Sequence, residues 1–256
     1  EDSKIKFYTR LTVSLSNITS DELSKSDRIN LISILRDLTC SEIELAIKFY
    51  TYDNYELVGY ESKENQLNKI SETDDGFTLK YINALLNNGL IVDPNKGKVP
   101  NIQYYKVTKL LVKLITMICD VSKLLPECYD EKEKKNVDII LESHGVISNV
   151  SSASFISMLK ERSITAAIVG RNEMDNHEYF SKYYLGWINT SGPGTYDSGV
   201  NFDIYDAYYK FKERKGGSSV LKIKTDHSFN KNINEYRMKL IDSIAITIKI
   251  LDSSRK

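Results

Sequence analysis

From Ser26 to Asp120 apolar residues recur every three or four positions, and capping or turn residues separate the stripes, which predicts successive amphipathic helices. Leu31, Ile34, Leu35 and Leu38 share one face of a first helix. Thr39, with Glu42 three residues later, is a capping box that opens a second helix carrying Ile43, Ala46, Ile47 and Tyr50. The stretch 53–73 is polar and aperiodic and is predicted as a long exposed connection. A third helix is predicted from Asp74 or Asp75 through Leu79, Ile82, Leu86 and Leu90, with Asn87-Asn88-Gly89 as its stop and Gly89 in the left-handed cap. Leu90-Ile91-Val92 and 102–107 flank a turn-rich stretch, 93–98, and are predicted to pair as a hairpin. Thr108 then caps a helix whose apolar face is Leu110, Leu111, Leu114, Ile115 and Ile118.

After Pro126 the pattern changes. The run 130–135 is of mixed charge and reads as an exposed helix start or linker. Phe155, Ile156, Met158 and Leu159 predict a short helix over 152–162, and 164–169 a buried strand. The segments 183–188 and 200–211 are rich in aromatic and branched residues and read as strands. Between them, 189–199 is a loop with three glycines and a proline. The runs 208–212 and 220–224 are predicted to pair as a hairpin across Gly216-Gly217, placing Lys210, Lys212, Lys222 and Lys224 on one face and Arg214 at the tip. A final helix over 234–252 carries Ile241, Ile244, Ala245, Ile248 and Leu251. The expected architecture is α+β: a helical module over 1–125, then a domain over 126–256 built on an antiparallel sheet with flanking helices.

The order of helix, helix, helix, strand, turn-rich loop, strand, helix resembles a winged helix. Leu85-Leu86-Asn87-Asn88-Gly89-Leu90-Ile91, followed by Tyr105-Lys106-Val107-Thr108, carries that resemblance. The stretch from Asp27 through Ile34-Leu35-Arg36-Asp37-Leu38-Thr39 to Glu42-Ile43-Glu44 also resembles the Abi-alpha group of bacterial abortive-infection proteins, which have a helical, winged-helix-like segment. The resemblance spans residues 21–120, implies a place in phage defence, and brings no catalytic residue with it.

Composition adds boundaries. The 256 residues are 41% hydrophobic and 27% charged, an ordinary folded balance. With 35 basic and 35 acidic side chains, the surface as a whole is not a polyanion receptor. Charge is uneven, however: residues 1–79 carry 9 basic and 15 acidic side chains, whereas 80–113 carry six lysines against Asp93 alone. Lys96 and Lys98 fall in the expected wing, where a DNA-binding module places phosphate contacts. Cys40, Cys119 and Cys128 match no zinc or redox spacing, which leads to the expectation of buried packing thiols and a cytoplasmic protein. No apolar run is long enough to cross a membrane. The chain opens without Met, and a start inside a longer parent is expected.

Catalytic chemistry finds little footing. His144, His177 and His227 have no metal-pair spacing, and Ser143-His144-Gly145 and Asp226-His227-Ser228 are neighbours in sequence without the geometry of a nucleophile and its base. Gly192-Pro193-Gly194 and Gly216-Gly217-Ser218 lack the residues of a phosphate-binding loop. Asp138 and Glu142 read as surface carboxylates. The expectation is therefore a non-enzymatic recognition protein with no cofactor and no metal, whose partner is another protein or a nucleic acid and which is compatible with homo-oligomers. A DNA-binding regulator using the lysines named above is the alternative. A third reading is a small-ligand sensor in which Trp187 and Tyr196, flanking the glycine-rich loop, stack on a nucleotide or sugar.

Overall fold

The computed structural model describes residues 2–19, 21–94, 105–143, 152–173, 177–189, 200–205, 221–223 and 233–253. The fold is α+β with helices at the N-terminal side, and the chain divides into two compact units, Glu1–Glu133 and Lys134–Lys256. Residues 126–133, read from the sequence as the start of the second domain, pack in the first unit because Tyr129 lies against its core and Glu131 is bonded to two of its tyrosines. Among the described residues no helix is long and apolar enough to cross a membrane.

The first unit opens with α1 (Asp2–Asn17), which buries Leu11 and Leu15 and is anchored where the Ser14 hydroxyl donates to the Met117 carbonyl at 3.0 Å. It is followed by α2 (Lys25–Asp37) and α3 (Cys40–Asn54), and the expected Thr39–Glu42 capping box is present at the start of α3. The stretch 53–73 is not the open connection expected: it contains α4 (Lys63–Ser71). The helix is hidden from hydropathy because one inward residue, Gln66, is polar. Only 1% exposed, Gln66 accepts from the Leu57 amide at 2.7 Å and donates to the Tyr52 and Tyr55 carbonyls. A buried amide this fully bonded costs little to keep. Then come α5 (Gly76–Asn87), β1 (Ile91–Val92), β2 (Lys106–Val107) and α6 (Lys109–Ile118). The two strands pair antiparallel, Ile91 with Val107 and Val92 with Lys106, as the hairpin expectation requires. All of these elements share one core, in which Leu35, Phe49, Leu85, Leu111, Leu114 and Ile118 are fully buried.

In the second unit, β3 (Lys135–Asn136) precedes β4 (Ile139–Ser143), α7 (Ser152–Glu161), β5 (Ala166–Gly170), β6 (Tyr179–Phe180), β7 (Tyr183–Asn189), β8 (Val200–Tyr205), β9 (Leu221–Ile223) and α8 (Ile233–Ser253). The principal sheet has the order β5-β4-β7-β8-β9 and is mixed, which corrects the antiparallel expectation: β4 runs parallel to both β5 and β7, and only β7-β8-β9 is antiparallel. The reason lies in β4, where Ile139, Ile140 and Leu141 are all fully buried. A strand covered on both faces lacks period-two alternation and is typical of a parallel sheet joined by a crossover helix, here α7. On one face α7 and α8 cover Ile139, Leu141, Tyr183, Leu185 and Ile204; the opposite face gathers Ile140, Ala167, Val169, Tyr184 and Tyr205. Arg162 at the end of α7 meets Asp242 of α8 at 2.6 Å.

Glu142 is a further correction. Continuing β4, it is 4% exposed rather than a surface carboxylate, whereas Asp138 is exposed. The run 130–135 starts no helix, since β3 lies at its end. Residues 208–212 and 220, one strand and the edge of the other in the expected hairpin, lie outside the described residues, while β9 pairs with β8, Ile223 in register with Phe202, Lys222 with Asp203 and Leu221 with Ile204.

Candidate functional site

The candidate surface in the first unit is built around α5. Its first turn is fixed by Asp75, whose carboxylate accepts from the Phe77 and Thr78 amides and from the Thr78 hydroxyl at 2.6 Å; these bonds, led by the hydroxyl, hold the Asp75 pKa below the usual carboxylate value. Its end is a Schellman motif: the Leu90 amide donates to the Leu85 carbonyl at 2.9 Å and the Gly89 amide to that of Leu86 at 3.0 Å, with Gly89 at φ +67°. The expected left-handed glycine is thus present. Gly89→Ala forces an L side chain into that conformation and is expected to cost about 1–2 kcal/mol, measured as a lower midpoint in urea unfolding.

Thr108 locks the next element to this turn. Its amide donates to the Leu90 carbonyl, its hydroxyl lies 2.8 Å from the Gly89 carbonyl and 2.9 Å from that of Leu90, and it accepts from the Leu111 amide to cap α6. Tyr105, just before β2, is buried edge-on against Phe49, with ring centroids 6.2 Å apart. So α5, the two-stranded ribbon and α6 are held as one piece.

With Ile82 and Leu85 turned into the core, α5 leaves Lys80, Asn83 and Asn87 along its outer side. Phe77 and Leu79 flank that row and are 68% and 42% exposed. Lys106 on β2 and Lys109 on α6 are exposed nearby in the chain. A groove of about 550 Å³ runs between α2, the end of α5 and α6, with Asp27 and Asp37 on one wall and Asn87 and Lys113 on the other.

Several groups in this unit have pKa values displaced by burial. Lys63, lowered by burial, donates to the Tyr55 carbonyl at the end of α3 and lies 3.6 Å from Glu56; nearby Asp53 is raised by burial. Burial pushes the Cys119 thiol up to about 11, so it stays protonated and serves packing. Cys128, by contrast, is exposed, which corrects the expectation of a buried thiol.

In the second unit a cavity of about 230 Å³ opens at the start of β4, β5 and β7. Its polar groups are mutually engaged: Asp138 accepts from the Thr165 amide and hydroxyl at 2.6 Å each, the Ser181 hydroxyl donates to the Asp138 carbonyl, and the Tyr183 hydroxyl donates to Asp252 at 3.0 Å. This is a knot that ties strand starts to the end of α8.

Of the residues expected to bind a partner, Lys96, Lys98, Lys210, Lys212, Arg214, Lys224 and Tyr196 lie outside the described residues, as do His144 and His227. Lys222 lies in β9 opposite Asp203. Trp187 does not flank the loop but sits within β7, opposite Phe202, because the strand continues to Asn189. His177 is buried, and its Nδ1 accepts from the Tyr179 amide. The structure adds the α2–α5–α6 groove, which no sequence pattern could show, since its α2 wall lies at least 50 residues from the rest of its lining. Comparison with protein-family models, curated proteins and solved structures finds no match to this chain.

Proposed function

We propose that this chain is a non-enzymatic macromolecule-recognition protein of a bacterial phage-defence or regulatory system, and that its first unit is a winged-helix module docking on a protein partner through α5 and its surroundings. The observation that carries the reading is the outer side of α5. The module has a complete core of its own, yet Phe77 and Leu79 stand in solvent at the leading end of this helix. Exposed aromatics around which polar groups can exclude water are the usual anchors of protein interfaces. The defence context rests on the sequence resemblance of residues 21–120 alone.

A nucleic-acid reading has its own support. Lys80, Asn83 and Asn87 form one outward row, asparagine can pair with the adenine edge, and Lys106 and Lys109 can meet phosphates. One experiment separates the two. A labelled duplex is titrated across a range of salt concentrations, while a photo-crosslinker at position 77 is used to trap neighbours in cells, with one at position 250 as control. The protein reading expects no salt-sensitive duplex binding and a discrete protein adduct from position 77 only. Duplex affinity that falls steeply with salt, its slope reduced by about one for each of Lys80→Ala, Lys106→Ala and Lys109→Ala, would replace it with the DNA reading.

A further inference from the structure

The groove between α2, α5 and α6 deepens this reading, on which it rests for its class of partner, and it does so with a different set of side chains. Its floor is apolar, made by Leu23, Leu31, Ile34 and Leu110. Asp27 and Asp37 stand on the α2 wall ten residues apart, a separation of about 15 Å along a helix that rises 1.5 Å per residue. Across from them is Lys113, and Asn30 and Asn87 are exposed at the rim with amides able to pair with a peptide backbone.

These dimensions select the occupant. An extended chain rising about 3.3 Å per residue covers the distance between the carboxylates in four or five residues. Charge selects it further. Two carboxylates on one wall repel phosphates and attract cations. Among the described residues both carboxylates are engaged only by α2 and its cap: Asp27 accepts from the Ser24 hydroxyl at 2.8 Å, and Asp37 lies 3.5 Å from the Ser33 hydroxyl and meets Arg36 at 2.9 Å in a pair whose side chains are 69% and 50% exposed. Exposed pairs of this kind have little net worth, so Asp37 can turn to an incoming cation.

We infer that the groove binds an extended segment of a protein partner, four or five residues long, with a basic side chain near each end and apolar side chains between. The bases meet Asp27 and Asp37, the apolar groups sit on Leu31, Ile34 and Leu110, and the Lys113 ammonium donates to a backbone carbonyl of the segment, which fixes its orientation.

The test uses the full chain, isotopically labelled, and two capped pentapeptide probes at millimolar concentration, Lys-Leu-Ser-Leu-Lys and Glu-Leu-Ser-Leu-Glu. The side-chain amide resonances of Asn30, Asn87 and Asn88 are followed. The basic probe is expected to shift them, with the acidic probe at least about tenfold weaker and the Asp27→Asn/Asp37→Asn double variant at least about tenfold weaker for the basic probe. Both substitutions are on the surface, and an unchanged circular dichroism spectrum confirms the fold. Equal binding of the two probes, unchanged binding by the double variant, or no shift at all would overturn the inference. So would displacement of the basic probe by duplex DNA or by raising the protein concentration, which would identify a nucleic acid or a second copy of the chain as the occupant. Probe binding that is lost in Lys80→Ala and retained in the double variant would reject the groove and leave recognition by α5 standing.

Discussion

Phe49→Ala is expected to destabilise the first unit by about 3–5 kcal/mol, the range for emptying a buried aromatic position. Phe49 is fully buried at the centre of a core fed by helices that are distant in sequence, and its ring stands at 86° to that of Tyr105. Truncation removes the apolar area, leaves a cavity, and takes away the edge-to-face contact that seats Tyr105 at the entry to β2. Two readouts check it. The urea midpoint followed by far-ultraviolet circular dichroism should fall with little change in slope, and amide exchange at Val107 and Thr108 should accelerate more than exchange at Leu31 in the middle of α2. A loss under 1 kcal/mol would mean that the ribbon root is not seated on α3.

Glu131→Ala is expected to cost about 3–4 kcal/mol and to change the alkaline limit of the fold. One carboxylate oxygen, Oε1, accepts from both the Tyr52 and Tyr60 hydroxyls at 2.8 Å, and Lys48 lies 5.4 Å from the Tyr52 ring and 5.7 Å from that of Tyr129. A hydrogen bond to a charged acceptor contributes roughly 1.5–3 kcal/mol, and the partial exposure of Glu131 keeps the pair towards the lower part of the summed range. The substitution leaves Tyr52, a side chain only 3% exposed, without that acceptor. In the native chain burial pushes Tyr60 up to about 12, helped by its bond to Glu131, and pushes Tyr129 up to about 12; Tyr52 moves in the same direction for the same first reason. An unfolded tyrosine ionises near about 10. The folded chain therefore keeps these protons where the unfolded chain loses them, and their contribution is complete below about pH 10 and disappears as pH rises through about 12. The tyrosinate absorbance should show a late-titrating class in the native chain. In Glu131→Ala, Tyr52 and Tyr60 should ionise earlier and unfolding should begin at lower pH. An identical titration in the two proteins would show that the carboxylate does not hold the phenols.

Much of the first unit was legible along the chain because its signals are local. The Thr39–Glu42 box, the Asp75 start, the Gly89 stop and the Thr108 cap each act within about four residues, and each stands where the pattern put it. What was not legible depends on partners far away. Helix α4 was hidden because Gln66 is made comfortable in the interior by carbonyls of another helix, and α1 because Leu11 and Leu15 become a core only when α6 lies against them. Strand β4 carried no alternation, so neither its direction nor the burial of Glu142 showed in its own residues.

The candidate surface divides in the same way. That Lys80, Asn83 and Asn87 share the outer side of one helix follows from a period of 3.6 residues, which the order of side chains settles alone. That Asp27, Asn87 and Lys113 border one groove follows only from how three helices pack, since nothing within any one of them records the distance to the others. Local order thus determined the helices, caps and turns of this protein. Tertiary packing decided the strand directions, the fate of the buried polar groups and the shape of the groove, because burial is a property of the whole assembly of elements and not of the segment that is buried.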